Sequence, residues 1–264
     1  MKMKKAIPIL LLIVLFGGAG WYFFTEEPEP VHELPLPQPL PAEPEPAPQP
    51  EPEPEDISAQ AEPEPVIIPD PLPELNESDP QFTQALAEIV GAESLEQYLV
   101  KSDVISRFVT MIDGLTSRQV SPQVNPVRPA AGNFKVLSEG ERVVLSPENF
   151  TRYDGYVSLL DGVDTDVLLA LYQRYDPLFQ QAWEDNGRDG SFDQRLAEVI
   201  DELLATPDVP GSVYLTKPEA VYVFEQSELE SMTAGQKILL RMGSANATVV
   251  KEKLAEIRLR IDNG

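Results

Sequence analysis

The sequence predicts a mainly α fold: a multi-helix globular domain with one or two small β-hairpins, preceded by one transmembrane helix and a disordered Pro/Glu-rich linker. Three observations carry this. Residues 6–24 form an uncharged run of 19, residues 25–74 hold 17 prolines and 14 acids with no Lys or Arg, and most of 75–264 shows helical apolar spacing between capping residues. The expected division is a cytoplasmic N-terminus over 1–5, a transmembrane helix over 6–24, a spacer over 25–74 and a helical periplasmic domain over 75–264.

At about 1.5 Å per residue the run over 6–24 spans roughly 28 Å, close to the roughly 30 Å hydrocarbon core of a bilayer. Lys2, Lys4 and Lys5 precede it and Glu26, Glu27 and Glu29 follow it, so the positive-inside rule keeps the N-terminus in the cytoplasm and exports the rest. Trp21 and Tyr22 suit the far interface. A cleaved signal peptide competes for the same segment, since Gly17, Gly18 and Ala19 are small enough for processing, but the apolar run continues through Trp21 to Phe24. The chain has no cysteine, which excludes a lipoprotein anchor and any disulfide and fits a bacterial periplasm better than a eukaryotic exterior. The Asn-x-Ser/Thr triplets at Asn76, Asn149 and Asn246 are then chance.

In the spacer, runs such as Glu43 Pro44 Glu45 Pro46 and Glu51 Pro52 Glu53 Pro54 cannot bury a core. Each proline fixes φ and removes an N–H donor while the like charges repel, so an extended, partly polyproline II chain is expected. At about 3.1 Å per residue it reaches up to about 150 Å, enough to carry the distal domain from the inner membrane toward the peptidoglycan. Residues 75–264 hold 17 Lys and Arg against 30 Asp and Glu, a balance of −13 within a chain at −24. That charge repels phosphate backbones and anionic lipid surfaces and argues against nucleic acid as a partner.

Within the domain, Ser78 or Asp79 is expected to cap a first helix with Pro80 in its first turn and Phe82, Leu86, Ile89 and Val90 on one side, ending at Gly91. Ser94 with Gln97 predicts a capping box for a short second helix. Ser102 starts a third, whose apolar stripe is Val104, Ile105, Phe108, Val109, Ile112 and Leu115. Pro122, Pro126 and Pro129 then break the helical period, and Phe134 Lys135 Val136 Leu137 and Arg142 Val143 Val144 Leu145 flank Ser138 Glu139 Gly140 Glu141 as a small hairpin. Ser146 Pro147 reopens helix toward Leu160. Asp164 begins another through Tyr172 to about Trp183, with a break or kink at Pro177. Ser191 caps a helix carrying Phe192, Leu196, Val199, Ile200 and Leu203 that stops before Pro207. Val213 Tyr214 Leu215 and Val221 Tyr222 Val223 Phe224 predict a second hairpin, and helices over 233–242 and 244–261 close the chain.

Chemistry is mostly excluded. The single histidine, His32, lies in the spacer, so a Ser-His-Asp triad, a Cys-His pair and a histidine-ligated zinc are all ruled out for the folded domain. No P-loop, Gly-x-Ser-x-Gly, Ser-x-x-Lys or Gly-x-Gly-x-x-Gly pattern occurs. Asp185, Asp189, Gly190 and Asp193 match positions 1, 5, 6 and 9 of a calcium loop, but position 3 is Gly187 and position 12 is Leu196, where coordination needs carboxylates. No metal, cofactor or catalytic residue is therefore expected, and a carboxylate pair of the glycosidase kind is the one enzymatic option left. Arg152 Tyr153 Asp154 repeats as Arg174 Tyr175 Asp176, and Lys237 with Arg241 makes an i,i+4 basic pair in an acidic domain. Arginine and tyrosine supply area and directed hydrogen bonds at interfaces, which makes Arg152, Tyr153, Lys237 and Arg241 the candidate partner-binding residues.

Six strings in order give a resemblance: Ser78 Asp79 Pro80; Arg107 Phe108 Val109 with Asp113; Arg152 Tyr153; Tyr175 with Pro177 Leu178 Phe179; Leu203 Leu204 Ala205 Thr206 Pro207; and Gly235 Gln236 Lys237 with Leu240 Arg241 Met242 Gly243. Over residues 75–259 the chain is similar to an uncharacterised family of Gram-negative envelope proteins, the domain-of-unknown-function family numbered three thousand and fourteen. The resemblance implies the same layout of anchor, Pro-rich segment and C-terminal domain, and no activity. The expected function is a non-catalytic, inner-membrane-anchored protein whose periplasmic domain binds an envelope protein or peptidoglycan. The alternatives are a carboxylate-dependent cell-wall hydrolase and a transducer of the TonB kind, whose membrane helix carries a histidine that 6–24 lacks.

Overall fold

Nine helices and four short strands are present among residues 71–263, the part of the chain that the computed structural model describes. The transmembrane helix expected over 6–24 and nearly all of the spacer lie outside those residues. Among the described residues no helix is long and apolar enough to cross a membrane. The domain is mainly helical with one small antiparallel sheet.

A 3-10 turn over Leu75–Glu77 leads directly into α1 (Asp79–Val90), which Gly91 ends at φ +83°. Because that glycine also begins α2 (Ala92–Tyr98), Ser94 falls inside the helix and the expected capping box does not form. The cap of α1 is displaced as well. Ser78 Oγ donates to Leu75 O at 2.7 Å, and the Asp79 carboxylate accepts from Asp103 N at 2.6 Å and Val104 N at 2.8 Å. Asp79 thus caps α3 (Val104–Gly114) rather than its own helix, and α3 starts after Asp103, in the left-handed region at φ +52°, not at Ser102.

Ser146 Oγ accepts from Glu148 N as expected, but the next segment divides into a 3-10 turn over Pro147–Arg152 and α4 (Asp154–Asp161). Asp164 caps α5 (Thr165–Asp185), accepting from Asp166 N and Val167 N at 2.8 and 3.1 Å, and those two amides hold its carboxyl below the ordinary aspartate range. Pro177 does not break this helix. The carbonyl that loses its partner belongs to Gln173, which like Pro177 is exposed and so open to water, while Tyr175, Leu178 and Phe179 keep both halves packed. Ser191 precedes α6 (Phe192–Leu204) without a side-chain cap, and Gln180 Oε1 accepts from the first amide of the helix, Phe192 N, at 2.9 Å.

Strands β1 (Val136–Glu139) and β2 (Arg142–Leu145) form the first expected hairpin, with Gly140 at φ +65° in its two-residue loop. Strands β3 (Tyr214–Thr216) and β4 (Val223–Phe224) form the second. The hairpins are not separate: Val143 pairs with Leu215 and Val144 with Tyr214, giving one sheet in the order β1-β2-β3-β4. A single turn of helix, α7 (Ser227–Glu230), follows the sheet and was not expected. Helix α8 (Ala234–Arg241) opens with a reciprocal capping box between Thr233 and Gln236, and α9 (Ser244–Asn263) closes the chain.

Helices α3, α5, α6 and α9 enclose the main core, with α1 against α5 and α4 against α9. Its centre is aromatic. Phe179, fully buried on α5, lies 5.2 Å from Tyr172, 5.9 Å from Phe192 and 6.1 Å from Phe82, measured between ring centres. A second, smaller cluster of Phe134, Val136, Leu145, Leu215, Phe224 and Leu229 gathers on one face of the sheet, and Leu240 of α8 packs against it.

Candidate recognition cleft

A cleft of about 590 Å³ opens between the segment leading into β3 and the helices α8 and α9. The segment 206–213, which runs from the end of α6 to β3, lines one part of it with Pro207, Val209, Pro210 and Val213. Leu239 and Leu240 from the end of α8, Phe150 from the 3-10 turn, and Ser244, Ala247 and Thr248 from the first turns of α9 line the rest. The lining is therefore mainly aliphatic, with one aromatic ring, a few hydroxyls and the charged pair Asp208 and Lys251.

Three devices shape this cleft. Gly243 joins α8 to α9 at φ +82°, and a Cβ added there would meet the Phe150 ring at 2.6 Å, so both the backbone angle and the contact with Phe150 require glycine. Asn246 Nδ2 donates to Phe150 O at 3.0 Å, to Asp154 Oδ1 at 3.1 Å and to Met242 O at 3.2 Å, fixing the turn that carries Phe150. Lys251 Nζ reaches across from α9 to Thr206 O at 2.7 Å and Asp208 Oδ1 at 2.9 Å, which ties the 206–213 segment down. The Asp208 side chain nevertheless stays 84 % exposed at the rim.

The four residues expected to bind a partner are placed elsewhere. Tyr153, Lys237 and Arg241 are each only 3 % exposed, and Arg152 is half-buried. Arg152 donates to the carbonyls of Ala130, Ala131 and Gly132, holding the loop before β1. Burial pushes the Tyr153 phenol up, against the opposing pull of the Arg152 and Arg241 guanidiniums. Arg241 lies 4.9 Å from the centre of the Phe224 ring on β4. Lys237 Nζ meets Glu230 Oε1 at 2.9 Å, and Glu230 Oε2 accepts from Phe224 N at 2.9 Å. Arg152, Tyr153 and Arg241 thus come together, and Lys237 joins them only through α8, but the group fastens the sheet to the helices rather than forming an exposed face. Long basic side chains bury their stems and keep their charge where a partner waits, which residue type alone does not reveal.

The calcium-loop residues are engaged in joining α5 to α6. Asp189 O accepts from Trp183 Nε1 at 3.2 Å, Gly190 O from Gln180 Nε2 at 3.0 Å, and Asp193 Oδ1 from the Tyr172 hydroxyl at 2.7 Å. Among the described residues no group of three or more His, Cys, Asp or Glu is arranged to hold a metal ion. A second cleft, of about 620 Å³, is lined by Glu74, Asp79, Asp103 and Asp185 where the chain enters the domain, and the Asp79 carboxylate there is already committed to the α3 cap.

Burial raises the pKa of Asp193, outweighing the Tyr172 hydrogen bond that lowers it, with Asp176 nearby raising it further. An acid whose folded pKa exceeds its unfolded value binds more protons in the folded state, so stability from this group is greatest at low pH and declines as pH rises above about 3.8. Asp193→Asn keeps an acceptor for Tyr172 and removes the charge. It should raise the melting temperature at pH 7 and flatten the fall in stability that begins at that pH. Melting curves across pH 3 to 8 test this, and a variant less stable than the parent at pH 7 refutes it.

No curated protein and no solved structure matches the chain. Residues 104–258, more than half of it, match the family described as Protein of unknown function (DUF3014). The match spans α3 through most of α9 and therefore every wall of the 590 Å³ cleft. Five of the six strings read in the sequence fall inside this match and Ser78 Asp79 Pro80 lies before it: the chain belongs to the DUF3014 family.

Proposed function

We propose that this chain is a membrane-tethered, non-catalytic recognition protein of a Gram-negative envelope. Residues 6–24 anchor it in the inner membrane with the N-terminus in the cytoplasm, residues 25–74 set the distance, and the helical domain captures a partner in the periplasm. The observation that carries the recognition half is the 590 Å³ cleft with its aliphatic and aromatic lining. Its volume falls within the roughly 300–1,000 Å³ typical of small-molecule sites, and its mainly aliphatic lining, with a single aromatic ring, favours an apolar side chain over a sugar. The anchor half rests on the uncharged run and the lysines before it.

Alkaline phosphatase fused after Gly264 should be active, and the protein should remain in the inner-membrane fraction. Release of a shortened soluble form would mean that the segment over 6–24 is cleaved and that the domain acts untethered. Purified protein incubated with peptidoglycan should release no muropeptides, whereas release would favour the hydrolase alternative.

A further inference from the structure

We infer that the cleft takes an extended peptide segment in which a large aliphatic side chain stands beside Lys or Arg. This rests on the recognition function proposed above and specifies the partner.

Three features of the cleft point to such a segment. First, a site lined by Phe150, Val209, Val213 and Leu240 rewards an aliphatic side chain by removing apolar surface from water. Second, the segment beside it has backbone to spare. Pro207 and Pro210 lack N–H groups, and among the described residues the amides of Val209, Gly211 and Ser212 make no hydrogen bond to the protein. Gly211 and Ser212 are exposed and Val209 half-buried, so these amides are open to the carbonyls of a peptide on either side of the bend at Gly211. Third, the charge the domain offers a partner is negative. Lys251 and Asp208 pair at the rim and cancel one another, which leaves a domain that carries −13 overall. A segment with Lys or Arg beside its aliphatic anchor matches that field, and an acidic segment would be repelled.

The test uses the full-length protein in nanodiscs and a randomised library of displayed 12-residue peptides. Selected sequences should share an aliphatic residue adjacent to Lys or Arg, and their binding should weaken with rising salt. Val209→Glu should reduce their affinity about tenfold, as expected for losing a central apolar contact. Asp208→Lys, which reverses the charge at the rim, should reduce it several-fold, and a melting curve run beside it accounts for the Lys251 contact that is lost as well. Peptides that bind both variants as well as the parent would overturn the cleft assignment while leaving the recognition function standing. Selection of acidic peptides would overturn the charge assignment. Failure to enrich any sequence would remove the peptide proposal, and capture of muropeptides by the same protein would show that recognition survives with a different partner.

Discussion

Phe179→Ala should lower stability by about 4 kcal/mol. Phe179 is fully buried, and its ring contacts those of Phe82 on α1, Tyr172 on the same helix and Phe192 on α6. Truncation removes one member of all three pairs, each worth about 0.5–1.5 kcal/mol beyond its buried area. The ring positions are set by helices from three parts of the sequence, so the surroundings cannot collapse into the void without moving a helix axis. For a domain near 190 residues, about 2–4 °C per kcal/mol translates the loss into a fall of about 8 to 16 °C in melting temperature. Phe179→Leu, which refills much of the space, should cost less than half as much. Thermal melts followed by circular dichroism distinguish the two, and equal effects of Ala and Leu would show that the site relaxes freely.

How far such arguments reach from sequence alone depends on whether the deciding interaction is local. Asp164 was legible as a cap because the amides it accepts from are two and three residues away. Gly91 was legible as a helix end because a left-handed position favours glycine. Asp79 was not, since the amides it binds belong to Asp103 and Val104, more than twenty residues further on. The two hairpins were visible as alternating apolar runs, but their union depends on Val143 meeting Leu215 across the whole of α4 through α6. The site suffered from the same limit. Lys237 and Arg241 were given to the surface because their charge was counted and their burial could not be. The segment 206–213 passed as a connection, although Pro207, Val209, Pro210 and Val213 gave a usable signal: an apolar run interrupted by prolines that can neither continue a helix nor fill a central strand.

Glu230→Ala should cost about 3 kcal/mol, because it strips the carboxylate from a Lys237 ammonium that is only 3 % exposed and uncovers the Phe224 N–H in the same step. Removing one partner of a buried pair typically costs about 3–5 kcal/mol, and the 30 % exposure of Glu230 lets water soften the loss toward the lower end. The pair itself is not indispensable. In the double variant Glu230→Gln with Lys237→Met both charges disappear, the glutamine oxygen still accepts from Phe224 N, and the methionine fills the path of the lysine stem. Stability should then return to within about 1 kcal/mol of the parent. Urea denaturation of the parent, the single variant and the double variant measures both differences. The single variant's loss should come with loosening of β4, because Glu230 joins the Phe224 amide to Lys237 of α8 and only the Arg241 contact with the Phe224 ring then remains of the connections described above. If Glu230→Ala proved as stable as the parent, the Lys237 ammonium would have to find water without it, and an exposed, partner-facing role for Lys237 would regain its footing.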